Sequence, residues 1–161
     1  WVTETPLHLP HKFLGAQPES VVSPLAEALT ELASQHRTFR MRVADVGAFP
    51  SFRRARVVWL GVDREPRLEF LHHDVELACE KLGFDLEGRP FRPHLTLARV
   101  REQTGVEELP QLSRAGKKLD FEAETVVGSI DLMRSNLDGA ATEAGARYER
   151  LHSAHLRGGE S

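Results

Sequence analysis

A histidine and a hydroxyl two residues apart on a strand share a face, where one titratable ring and one O–H donor can meet a single anionic group. The stretch Arg92-Pro93-His94-Leu95-Thr96-Leu97-Ala98-Arg99 has that spacing. Leu95 and Leu97 alternate with His94, Thr96 and Ala98, so the leucines face the core while His94 and Thr96 share the other face. A partial echo, Leu7-His8-Leu9-Pro10-His11-Lys12-Phe13-Leu14-Gly15, stands near the start. Two such strands suggest two half-sites across a groove, each giving one histidine. Two imidazoles can supply the base and the acid of a reaction that needs two proton transfers. Hydroxyls and guanidinium groups aimed at an anionic centre stabilise charge that develops there. Other histidines carry less: His72 with Glu76, and His152 with His155, have metal-compatible spacing but no third ligand nearby in sequence.

The elements that must position these groups follow from the same pattern. Residues 7–14 read as the first motif strand, closed by Gly15. Ser23 as N-cap and Pro24 at the first helical position predict a helix whose buried face is Leu25, Leu29 and Leu32, ending near His36. Residues 39–46 alternate strictly and predict a half-buried strand; 47–54 predict a loop that Arg53, Arg54 and Arg56 make locally positive. A strand at 56–62 precedes a helix at 67–82, with Leu68, Leu71, Val75, Ala78 and Leu82 on one face and Gly83 as its cap. Cys79 adjoins that face and reads as a packed, inert thiol. After the second motif strand at 95–100, a short helix is expected around 106–115. Adjacent strands at 119–127 and 129–134 bend at Gly128, and a last strand covers 147–156. Strands and helices mix without a βαβ rhythm, so the class is α+β.

A chain of 161 residues suits one domain. We expect that domain to cover residues 1–157, followed by a flexible tail at 158–161. A net charge of −3 supplies no global basic field of the kind that non-specific nucleic-acid binders use, so any nucleic-acid contact must be local. The single cysteine excludes an internal disulfide and fits a reducing, cytoplasmic setting. No apolar run approaches the ~18–20 residues of a membrane span.

The motif pair resembles the two-histidine (2H) phosphoesterases, and within them the RNA 2′,3′-cyclic phosphodiesterases, long called 2′-5′ RNA ligases. The resemblance runs through Trp1, His8, Phe13-Leu14-Gly15, Gly47-Ala48-Phe49-Pro50, Val57-Val58-Trp59-Leu60-Gly61, Leu82-Gly83-Phe84, the second motif, Leu132-Met133-Arg134-Ser135 and Tyr148. It implies a two-lobed fold, with antiparallel sheets and outer helices around a central groove. It also implies a strand–helix unit before Trp1, whose absence from this sequence would expose a sheet edge. His8 and His94 are then the catalytic pair; the sequence does not say which is acid and which is base, and both assignments stay open, the working one having His94 activate water and His8 protonate the leaving 3′-oxygen. Thr96, Arg99, Arg92 and Phe49 are the expected phosphate- or substrate-binding residues. The expected partners are RNA 3′ ends or nucleotides bearing a 2′,3′-cyclic phosphate; no cofactor or membrane is implied, and a monomer is expected. Pro10 departs from the family, which has a hydroxyl residue there; proline offers neither that donor nor an N–H. His11 would point away from His8. Two other readings stay open: a catalytically weak nucleotide- or RNA-end-binding module, and a 2H enzyme for another cyclic phosphate or 2′-5′ oligoadenylate.

Overall fold

The computed structural model describes residues 9–99, 121–136 and 147–158. Its elements run α1 (Val22–Gln35), β1 (Phe39–Phe49), β2 (Val57–Val62), α2 (Pro66–Lys81), β3 (His94–Arg99), β4 (Glu122–Val127), β5 (Ser129–Asn136) and β6 (Arg147–His155). The α+β class holds. A four-stranded sheet has the order β3-β2-β1-β4, with β1–β2 and β2–β3 antiparallel; β5 and β6 form a separate antiparallel pair. The predicted helix at 106–115 lies outside the described residues, as does the tail beyond Gly158. Gly158 itself is tethered, its carbonyl accepting from the Thr38 hydroxyl at 3.3 Å. No helix among the described residues is long and apolar enough to cross a membrane.

The chain divides into two compact units that interleave in sequence. One holds 41–64 and the β3 segment from Pro93; the other holds 11–40, 65–92 and the β5–β6 pair. In the second unit α1 packs on β5 and β6 and against α2. Leu25, Leu29 and Leu32 face that core as the periodicity predicts, with Leu68 and Leu71 fully enclosed opposite them. In the first unit the buried side chains include Met41, Val43, Val58, Leu60 and Leu95.

Several expectations are corrected. Residues 9–15 form no strand: Pro10 cannot donate to a ladder, and Lys12 is drawn instead to Glu76 on α2. A 3-10 turn at Glu19–Val21 runs directly into α1, so Ser23 lies inside the helix, where its hydroxyl donates to Glu27 at 3.2 Å. Pro24 remains harmless because first-turn N–H groups have no intrahelical acceptor. β1 continues through Gly47 to Phe49, and its alternation breaks at Asp45, a bulge residue with φ +62°. The buried face of α2 includes Glu76 and Cys79; Leu82 is exposed beyond the helix end. β4 and β5, expected as neighbours, belong to different sheets. Cys79 is buried, and desolvation raises its thiol pKa, as befits a packed thiol.

Burying Glu76 is possible because Lys12 Nζ meets its carboxylate at 2.7 Å, with both side chains 8% exposed, while the Glu87 amide donates to the same oxygen at 2.8 Å. Burial alone would raise the Glu76 pKa. The Lys12 and Glu87 hydrogen bonds, with the charges of Lys12 and His72, outweigh it and leave the pKa below its ordinary value.

His11 beside this pair has its Nδ1 sealed from solvent, and its pKa drops from 6.5 to about 4, first by burial and second by His72. Between these two values the unfolded chain binds the proton and the folded chain refuses it. Stability is therefore complete above about pH 6.5 and falls as pH drops toward about 4, by at most about 3 kcal/mol. Urea titrations across that window should show the midpoint falling in the wild type and a shallower fall in His11→Leu; equal slopes would assign the effect to another group.

Candidate active site

The second motif is assembled by strand register. Gly47, Trp59 and Thr96 form one row across β1, β2 and β3; Ala44, Gly61 and His94 form another. His94 and Thr96 therefore share a face with the Trp59 indole, as alternation requires. The indole lies over Gly47, where an added Cβ would fall 2.1 Å from a ring carbon. At Gly61 a Cβ would come within 2.8 Å of the Ala44 carbonyl oxygen. These two strand glycines make the close approach possible.

Three rings meet on this face. The Phe49 ring lies 5.2 Å from Trp59 and 5.4 Å from His94, the latter edge-on at 84°; Trp59 and His94 are 6.3 Å apart at 62°. Edge-to-face geometry suits the aromatic quadrupole and restrains the imidazole without enclosing it. His94 and Thr96 are half-buried. Phe49 thus packs beside His94, as a wall of the site.

A bulge brings Arg99 to the same side. The β2–β3 register slips between Val58 and Trp59, so Trp59 opposes Thr96 while Val58 opposes Ala98. Leu97 is the extra residue, and Arg99 falls opposite Val57, on the face of Trp59. Strict alternation would have set Arg99 on the opposite face. It is exposed at the strand end, in reach of solvent-borne anions.

The other expected residues are not joined to this face by the described structure. His8 lies outside the described residues. Arg92 is exposed and precedes β3, in the unit that does not hold His94. Pro10 is exposed and His11 is packed against α2. Trp59, Gly47 and Gly61 are the contributors that motif reasoning missed. Their signal was present: two glycines inside β-rich runs that also carry aromatic residues.

Comparison with known proteins gives this geometry a family. Residues 1–139 match the model of the 2′-5′ RNA ligase superfamily. A Geobacillus stearothermophilus protein named RNA 2′,3′-cyclic phosphodiesterase is 40% identical over 98% of this chain, which spans 48% of that protein's length. One of the same name from Aeropyrum pernix is 33% identical over 94% of this chain and 82% of its own. Among solved structures, a Thermus thermophilus protein superposes with a TM-score of 0.71 at 26% identity, covering 96% of this chain and 80% of its own. Escherichia coli LigT complexed with 3′-AMP gives 0.64 at 26% identity, covering 97% and 80%. With a family match over most of its length and a relative 33% identical over 94% of it, the chain belongs to the 2′-5′ RNA ligase superfamily.

Proposed function

We propose that this protein hydrolyses 2′,3′-cyclic phosphate ends of RNA to 2′-phosphates, as a cytoplasmic monomer, with joining of 2′-5′ ends as a minor reverse activity. The observation that carries this reading is the shared face of His94, Thr96 and Arg99, in a chain whose relatives are named RNA 2′,3′-cyclic phosphodiesterases.

His94 takes a proton from water as the water oxygen attacks phosphorus. The bond from phosphorus to the 3′-oxygen breaks, and His8 donates the proton that makes that oxygen a hydroxyl. The phosphate stays on the 2′-oxygen. Thr96 donates its O–H to a non-bridging oxygen, and Arg99 offsets the charge gained in the transition state. Phe49 and Trp59 keep the His94 ring from turning. Arg92 adds positive charge for the RNA strand. Each histidine is asked for roughly 10²–10⁴-fold of the rate.

Pro10 favours a second reading, an RNA-end binder with slow turnover, since the first motif lacks the hydroxyl that would mirror Thr96. Losing one transition-state donor costs roughly 10²–10³-fold.

A short RNA ending in 2′,3′-cyclic phosphate, incubated with chelator, separates the two. A 2′-phosphate product formed at the same rate with and without chelator supports the hydrolase, and tight binding without product supports the binder. His94→Ala should lower kcat by roughly 10²–10⁴-fold with the fold retained by circular dichroism. Pro10→Thr should raise kcat by up to about 10²-fold; an unchanged rate would remove Pro10 from the phosphate site. Gly47→Ala, by displacing the Trp59 indole, should lower kcat by about tenfold or more, with binding of the RNA end much less affected.

A further inference from the structure

Residues 46–62 contain three arginines, Arg53, Arg54 and Arg56, and no aspartate or glutamate. The fold fixes where that charge sits. A 3-10 turn at Phe52–Arg54, and the Arg56 amide donating to the Phe49 carbonyl at 2.8 Å, close the β1–β2 loop. Ala55 is buried, so Arg54 and Arg56, both exposed, flank a packed residue. Arg56 directly precedes Val57, which pairs with Phe49 of β1 and with Arg99 of β3. The rows across the sheet therefore run in order: His94 with Gly61, Thr96 with Trp59, Arg99 with Val57, and then Arg56 and Arg54 past the end of β2. All of these residues belong to one compact unit. Among the described residues none of Arg54, Arg56 and Arg99 has a carboxylate partner, whereas Arg42, toward the other end of β1, is held by Asp63 and Glu122.

We infer that Arg54 and Arg56 form a subsite for the phosphodiester that joins the reacting nucleotide to the one before it, so that the protein selects a strand end over a free nucleotide. The inference rests on the hydrolase reading for what occupies the face of His94, Thr96 and Arg99. The chemistry of the subsite follows from its side chains. A phosphodiester presents one negative charge on its non-bridging oxygens, and a guanidinium fork matches such a group in both charge and geometry. At roughly 3.3 Å per residue, Arg56 begins one step past the Arg99 row, and its long side chain covers the distance to a neighbouring phosphate. A mononucleoside cyclic phosphate fills the reacting site and leaves both guanidinium groups in water. A longer end engages them as well. Contacts to a phosphate carry no base information, so the gain applies to strand ends of any sequence. The cluster also supplies the local positive field that a chain of net charge −3 lacks as a whole.

The deciding experiment compares kcat/KM for adenosine 2′,3′-cyclic phosphate, for the dinucleotide that adds one adenosine through a 3′-5′ phosphodiester, and for that dinucleotide with a neutral methylphosphonate linkage. The wild type should favour the charged dinucleotide over the other two by roughly tenfold at low salt. That advantage should shrink as salt rises, with a log–log slope of roughly 0.7 for each arginine engaged. The double variant Arg54→Gln, Arg56→Gln should bring the ratio close to one. Because two substrates are compared on one protein, a general loss of activity cancels from the ratio. An unchanged ratio in the double variant, or a methylphosphonate favoured as strongly as the phosphodiester, would overturn the inference. Where the wild type hydrolyses none of the three, their equilibrium binding carries the same comparison. Binding that depends on the linkage charge and on the two arginines would then uphold the subsite and overturn the hydrolase reading alone; binding without that dependence would overturn both.

Discussion

The charge of a lysine whose side chain is 8% exposed must be neutralised where it lies, and the path of the chain around Lys12 follows from that constraint. The available anion is Glu76, fixed on the inner side of α2 by a helix whose leucines point the same way. The carboxylate also needs donors, and the Glu87 amide supplies one, which brings the loop after α2 back across the helix. His11 and Lys12 are thereby held against α2, and residues 9–15 form no ladder strand. The ion pair adds little stability in itself, because desolvation offsets much of the attraction. Its effect is specificity: removing either charge would strand the other in the interior.

A different constraint governs the unit that carries His94. There the indole of Trp59 occupies the volume that a side chain at Gly47 would fill, and the ring can then reach both Phe49 and His94. Bulges on each side of β2, at Asp45 and at Leu97, adjust the rows so that the polar residues of β3 gather on one face. Each bulge leaves one residue out of the ladder and alters which residues share a side. Arg99 joins His94 and Thr96 only because of the second one.

This explains what could be read in the chain before its structure. The 3.6-residue period of Leu25, Leu29 and Leu32, and of Leu68, Leu71 and Val75, reports burial directly, and both helices were legible from it. The His94–Thr96 pair was legible because a strand's two-residue period is local. The bulges were not, since register is decided by pairing with a partner strand and leaves no mark in one strand's own pattern. The strand expected at residues 7–14 failed, within its described part, for a related reason. Its alternation was real, but Pro10 removed a donor and Lys12 found a partner far away in sequence. Glu76 was equally hidden: a carboxylate on an apolar helix face makes sense only once Lys12 is known to reach it.

The histidines show how burial sorts one residue type into different roles. His11 and His94 each directly follow a proline, and each belongs to a motif-like run. His11 lies beside the stacked His72 and Phe91 rings with its Nδ1 sealed, where a proton is costly. His94 is held by ring edges, and its strand face also carries a hydroxyl and ends at an exposed guanidinium. General acid–base chemistry needs a group that gains and loses a proton near working pH within hydrogen-bond reach of substrate. The burial around His11 disfavours that proton near pH 7. Thus His11, although it comes right after Pro10 in a motif-like run, is turned toward α2, and its ring packs beside His72 and Phe91.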